Sequence, residues 1–231
     1  MYFVGDFDGR NFVADSLDYP LWLDSGSDNY AGVTWSNSPD GRTIYLGWMN
    51  NWDYVGQVPC SPWRSAMTLP RTLALEEMNG KPVITSYVVD ELNNIAGEWK
   101  EAEDGICKDG DAYEMVVTLD PKENQYFNVG NSKGENISVE VNALAGRIIV
   151  SRTSASGKTS FNGNFSLPGM SALYDTSADE MELHIYVDHS SVELISGDGK
   201  SAITCLVYPT EPYDRISGIE NVSYRTLKSI W

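Results

Sequence analysis

The stretch MELHIYVD, residues 181–188, alternates apolar and polar side chains without a break. Met181, Leu183, Ile185 and Val187 fall on one side of an extended chain. Glu182, His184, Tyr186 and Asp188 fall on the other, because successive side chains of a strand point to opposite faces. The same period recurs over Tyr113, Met115, Val117 and Leu119. It recurs again over Ile137, Val139 and Val141, which alternate with Ser138, Glu140 and Asn142. Strands that bury one face and wet the other are typical of antiparallel sheets. Turn dipeptides separate such runs: Asn79-Gly80, Asp109-Gly110, Lys133-Gly134, Ser156-Gly157, Asn162-Gly163 and Asp198-Gly199. This spacing predicts a β-sandwich or barrel rather than a parallel α/β sheet. Only Pro62 to Glu77 looks helical. Pro70 sits in its middle and would remove an amide and clash with the preceding turn, so two short strands are expected there. The chain reads as all-β.

The 231 residues carry 33 acidic against 16 basic side chains, a formal net charge of −17. Such an anionic surface repels phosphate backbones and acidic headgroups, which argues against nucleic-acid and membrane-surface partners. Hydrophobic residues make up 42%, enough for a packed core, and no apolar run approaches the ~20 residues of a membrane helix. The opening MYFVGDFDGR has neither the basic nor the apolar region of a signal peptide. It starts directly in strand-like residues, as expected of a chain cut from a longer protein. Cys60, Cys107 and Cys205 form no CxxC pair, and His184 and His189 complete no recognised zinc spacing with them. Three reduced, mostly buried thiols are expected, with no metal and no cofactor.

Composition shifts near residue 78. Trp22, Trp35, Trp48, Trp52 and Trp63 precede it, and only Trp99 and Trp231 follow. A boundary is expected in the Asn79-Gly80-Lys81-Pro82 turn, giving a short aromatic unit and a larger sandwich. Several motifs fail on their chemistry. Asp6-x-Asp8-Gly9 opens like a calcium loop, but Arg10 and Leu17 stand where oxygen ligands are needed. Gly197-Asp198-Gly199-Lys200-Ser201 lacks the first glycine of a phosphate loop, because Leu194 takes that place. Asp188, His189 and Ser190 are sequence neighbours and cannot form a catalytic relay along one strand face. The segment from Trp22 to Arg71 is different, combining carboxylates and amides with many aromatic rings. Aromatic faces stack on the C–H faces of sugars while Asp and Asn bond to hydroxyls, although tryptophans at this density serve a core equally well.

The runs YFVGDFDGRNF (2–12), WLDSGSDNYAGVTW (22–35), GWMNNW (47–52), PWRSAMTLPR (62–71) and VDHSSVEL (187–194), with VYP (207–209), occur in that order. Together they resemble glycoside hydrolase family 32, the fructan β-fructosidases that include invertases, levanases and inulinases. The resemblance implies a five-bladed β-propeller followed by a C-terminal β-sandwich. Residues 1–77 would be part of blade four and blade five, and residues 78–231 the sandwich. It also implies hydrolysis of fructans or sucrose with retention, using an Asp nucleophile in a WMNDPNG-type motif, an Asp in an RDP motif and a Glu acid/base in an EC motif. Retention requires two carboxyls about 5–5.5 Å apart. None of these motifs occurs here: no Asp-Pro-Asn-Gly follows Met49-Asn50, Tyr213-Asp214-Arg215 reverses the RDP order, and there is no Glu-Cys pair.

The chain is therefore expected to be a C-terminal portion with no catalytic residue of its own, inactive alone, whose missing N-terminal blades are its natural partner. By resemblance, Trp48 lines the fructose pocket, and Asp28 and Tyr30 lie on or near the inner strand of blade five as further substrate-binding candidates. Ser25 departs from the aromatic often found between Asp24 and Gly26. Asp24 and Arg64 are read as loop-orienting at least as readily as sugar-binding, and the VDHSSVEL motif as a sandwich feature without catalytic role. An extracellular or periplasmic location is implied. The rival reading is an autonomous carbohydrate-binding or assembly sandwich, or a structural lid that buttresses the propeller. An orphan blade would expose Trp22, Trp35, Trp48 and Trp52 and leave an unpaired outer strand over residues 2–5. Self-association into a homo-oligomer, or local disorder, is expected from it.

Overall fold

The computed structural model describes residues 1–16, 21–107 and 112–229, and strands dominate it, with short 3-10 turns at Asp90–Asn94 and Ser154–Ser156. The Asp109-Gly110 turn expected from the sequence lies outside the described residues. Strands β1 (Gly5–Phe7) and β2 (Phe12–Ala14) form an antiparallel hairpin. Its tip is the Asp8-Gly9 pair, where the Asp8 carboxylate accepts from the amides of Arg10 and Asn11 at 2.8 and 2.7 Å. The strand expected to be unpaired over residues 2–5 is partnered instead. Tyr2 N–H donates to the Leu21 carbonyl, and Asp15 N–H to that of Val4. The Tyr2 hydroxyl accepts from the amide of Ile84. Backbone groups of this segment find partners because Asp15 and Leu21 return alongside it.

The aromatic unit is one antiparallel sheet. It contains β3 (Tyr30–Thr34), β4 (Thr43–Met49), β6 (Arg71–Met78) and β7 (Lys81–Val88) in that order, with β5 (Ala66–Met67) paired to β4. Pro70 falls between β5 and β6, so the Pro62 to Glu77 region holds two strands, as its proline requires. The expected boundary at 78–82 falls on a hairpin. Asn79 and Gly80 have φ of 53° and 74°, the left-handed pair of a two-residue hairpin, and β6 and β7 pair without a break from Met78↔Lys81 to Arg71↔Val88. The shift in composition coincides with a hairpin tip, and the chain leaves this sheet only after Val88.

Eleven further strands follow among the described residues: β8 (Lys100–Glu101), β9 (Ala112–Leu119), β10 (Gln125–Gly130), β11 (Asn136–Asn142), β12 (Arg147–Ser151), β13 (Met170–Leu173), β14 (Met181–Asp188), β15 (Ser191–Ser196), β16 (Ala202–Leu206), β17 (Arg215–Ser217) and β18 (Val222–Leu227). They make two sheets, ordered β13-β12-β11-β10-β17 and β16-β15-β14-β9-β18-β8. In β14 and β11 the faces assigned by alternation are the buried ones. Phe127, Ile137, Val139 and Ile148 of one sheet meet Met115, Val117, Leu183 and Ile185 of the other in a single core. Each such side chain contributes ~1.5–3 kcal/mol of burial. Every fully buried residue of this core comes from position 107 onward.

Strands β15 and β16 break the alternation, being buried on both faces. The outer side of this sheet edge is covered by the aromatic unit. Ser25 N–H donates to the Ala202 carbonyl at 2.8 Å, and a side chain at Gly26 would start 2.0 Å from the Thr204 carbonyl oxygen. The backbones meet that closely only because Gly26 has no Cβ.

Candidate functional site

The first strand of the blade sheet begins at Tyr30, which pairs directly with Trp48 on β4, and Trp48 pairs in turn with Met67 on β5. Residues opposite one another on neighbouring strands share a face. The row Tyr30–Trp48–Met67 therefore lies on one side of the sheet. The rings of Tyr30 and Trp48 meet edge-on at 6.3 Å, and Trp52 leans on Trp48 at 5.2 Å with the planes 48° apart. Trp48 is half-buried between neighbours that are open to solvent, Tyr30 at 57% and Trp52 at 71% exposure. On the opposite face of β4, Gly47 leaves room for the Asn29 side chain, which a Cβ there would strike at 2.1 Å. Two of the three expected substrate-binding residues are thus brought together, with Trp52 beside them, in an exposed aromatic cluster.

The third, Asp28, is elsewhere. It is fully buried, and both its oxygens are engaged. One accepts from the Tyr54 hydroxyl. The other accepts from Arg152 Nη1 at 2.7 Å, from the Leu206 amide at 2.8 Å and from the Ser27 hydroxyl at 2.9 Å. A carboxylate buried this completely, with both oxygens engaged, is closed to a sugar hydroxyl, and Asp28 instead joins the two units. Its partner Arg152, at the end of β12, is fully buried and spends its guanidinium on both. Nε donates to the Phe165 carbonyl at 2.6 Å, Nη2 to Tyr54 and Ser27, and the plane stacks 3.7 Å above the Phe165 ring. An arginine suits this place because its rigid fork serves several acceptors at once. Burial first, then the neighbouring Asp28 charge, pushes the Tyr54 hydroxyl well above its ordinary pKa.

A second buried ion cluster ties the same two units. Arg71 at the start of β6 donates to Asp24 at 2.9 Å and to Glu193 of β15 at 2.5 Å. Thr204 donates from its amide and hydroxyl to Asp24 and accepts from Arg71. Burial opposes the charge on Asp24, but Arg71 and the hydrogen bonds of Thr204, Asn29 and Gly26 outweigh it and hold the carboxyl below its ordinary value. For Glu193 burial outweighs the Arg71 charge, and its pKa is raised. Asp24 therefore orients the 24–30 loop rather than facing a ligand. Arg64 is exposed.

The remaining motifs settle as local structure. Asp188 accepts from the backbone amide of His189 within the β14–β15 turn, and Asp198-Gly199 is the β15–β16 hairpin tip. Cys107 and Cys205 are buried and Cys60 partly so; all three are free, and burial pushes the Cys205 thiol up to about 12. Sequence reasoning passes over Arg152, Arg71 and Glu193. The available signal is a charged residue inside an apolar run, as in the Val192-Glu193-Leu194-Ile195 segment.

Comparison with known proteins adds to this geometry. The chain matches the model for the glycosyl hydrolases family 32 N-terminal domain over residues 1–86, and that for the glycosyl hydrolases family 32 C terminal over residues 79–230. It is similar to a levanase of Bacillus subtilis, 35% identical over 255 residues, covering 100% of the chain and 38% of that protein. It is similar to an extracellular exo-inulinase of Aspergillus niger, 29% identical over 232 residues, covering 90% of the chain and 43% of that protein. The crystal structure of an exo-inulinase from Aspergillus awamori superposes with a TM-score of 0.82 at 25% identity, covering 99% of the chain and 50% of its own length. The chain thus spans half or less of the length of each of these relatives.

Proposed function

The chain belongs to glycoside hydrolase family 32, and from that premise we propose that it is the C-terminal portion of a retaining β-fructosidase that cleaves fructans or sucrose. The observation that carries this reading is the exposed cluster of Tyr30, Trp48 and Trp52. Ring faces open to water beside a propeller-type strand suit the C–H faces of fructose units, and Trp48 at the centre is the wall of the pocket. Retaining hydrolysis also needs a nucleophilic carboxylate and a carboxylic acid on opposite sides of the bond. The motifs that supply them in the family are missing from the 231 residues, and the buried carboxylates of Asp24 and Asp28 are committed to Arg71 and Arg152. In this reading the reacting groups come from propeller blades not contained in the chain. The chain supplies an aromatic wall, the last blade and the sandwich that holds it. A secreted location follows from the relative named an extracellular exo-inulinase.

The test is a chimaera in which this chain follows the N-terminal portion of the Bacillus subtilis levanase. It should release fructose from levan or inulin, and Trp48→Ala should lower kcat/KM by ~10²-fold, the order of loss produced by a misplaced substrate. Kinetics unchanged by Trp48→Ala would return that ring to a packing role and overturn the pocket assignment.

A further inference from the structure

Trp52 is the most exposed member of the aromatic cluster, so its own side chain does little to fix its direction. Its described ring contact is Trp48, and its angle depends on the backbone turn that carries it. That turn is closed by Asn51, whose carbonyl accepts from the amides of Tyr54 and Val55, and whose side-chain oxygen accepts from the amide of Asp53. The Asn51 side-chain amide ties the turn to the Ser27 carbonyl of the blade at 2.8 Å, and two further outward anchors reach the sandwich. Tyr54, 1% exposed, points its hydroxyl at Asp28 and receives Arg152 Nη2 at 3.1 Å, and its ring meets Phe165 edge-on at 5.1 Å. On the other side Asn162 donates from its side-chain amide to the Asp53 carbonyl at 3.0 Å and to Gln57 at 3.2 Å. Asp53 and Tyr54 directly follow Trp52. Asp28, on the same guanidinium, lies two residues before Tyr30.

We infer that Arg152 and Asn162 are positioning residues: from the sandwich they set the angle of Trp52 against Trp48, and so shape the surface offered to the sugar. The sugar part of this statement rests on the reading of the aromatic cluster given above. The positioning part does not. The sandwich then does more than buttress the blade, because two points of its 152–165 segment clamp the turn that bears an outer ring of the site.

Two indoles 5.2 Å apart and tilted by 48° couple their electronic transitions, giving a circular dichroism couplet whose size falls steeply with distance and changes with the angle between the rings. The couplet of the whole chain is identified by its loss in Trp52→Phe. Arg152→Lys keeps a positive charge beside Asp28, so the buried carboxylate stays paired, but an ammonium cannot serve Asp28, Tyr54 and the Phe165 carbonyl together. Asn162→Ala removes the amide that holds the Asp53 carbonyl and leaves the core untouched. Asn162→Ala should unfold cooperatively near the wild-type denaturant midpoint and Arg152→Lys cooperatively at a lower one, because it leaves buried acceptors unpaired, and both should lose the couplet while folded. A couplet of wild-type strength in either folded variant overturns the inference. Retention on a levan affinity gel, read in parallel, separates the two claims. If Trp52→Phe is retained as strongly as the wild type, or if the wild type is not retained, the sugar-contact reading fails while the couplet still decides the clamp.

Discussion

Arg71 stands between two carboxylates whose environments push them in opposite directions, and this gives the stability of the chain two distinct dependences on pH. Asp24 is held below the ordinary aspartate value of 3.8, so its contribution is present above that value and is lost as pH falls through the lower folded one. Glu193 is raised above the ordinary glutamate value of 4.5. The folded state therefore binds its proton more tightly than the unfolded chain. Its contribution is present at low pH and is lost as pH rises from 4.5 through the folded value. Asp24→Asn should flatten the acid-side fall in unfolding free energy by up to ~1.4 kcal/mol per pH unit, and Glu193→Gln should flatten the opposite slope just above 4.5. Denaturant titrations across this range check both, and unchanged slopes would show that neither group titrates with folding. Little of this cluster is legible in the sequence. Arg152 lies 124 positions from Asp28, and Arg71 lies 122 from Glu193. Asp28 reads as a sugar contact by family resemblance, and only the fold shows the guanidinium that occupies it.

The elements themselves are far more readable, since alternation and turn chemistry act within a few residues. Strand β14 keeps the limits and faces that its period assigns, and Pro70 divides β5 from β6. One local signal can carry two meanings. Asn79-Gly80 marks a hairpin as strongly as it marks a break, and only the pairing of β7 with β6 decides between them. Strands β15 and β16 lose their alternation because a second sheet covers them, which is a tertiary effect. The two glycine turns allow a direct comparison. Gly80 has φ of 74° and nothing within 4 Å of the place a Cβ would take, so Gly80→Ala should cost only the left-handed backbone penalty of ~1–2 kcal/mol. Gly199 has φ of 67° with the Tyr87 ring 2.8 Å from the same position, and Gly199→Ala should cost more. Equal losses in urea unfolding would contradict this packing of Tyr87 over the β15–β16 tip.

At the scale of the molecule, two unequal sheet systems share one chain. The main sandwich core draws on residues from 107 onward, and a smaller one joins Met49, Tyr54 and Val58 to Phe165, Leu206 and Tyr208, whereas the blade sheet leaves Val33, Trp35, Met67 and Leu75 more than half exposed. Apolar area of this kind favours association despite a net charge of −17. Sedimentation should show the whole chain as a dimer or larger, and a fragment beginning at Asp90 as a monomer that unfolds cooperatively. A monomeric whole chain, or an unfolded fragment, would contradict that division. The two-unit, all-β plan is readable because motifs from both units resemble one family in order; the buried ion pairs that join the units are not.

In the proposed reading the chain contributes sugar-contacting and structural parts to a fructan hydrolase, while the groups that break the bond come from outside its 231 residues. The most direct measurement is fructose release from sucrose, inulin and levan by the purified chain alone. Without both a positioned acid and a nucleophile, no release above background is expected. Fructose produced in proportion to the amount of chain, and abolished by heat denaturation, would contradict that reading.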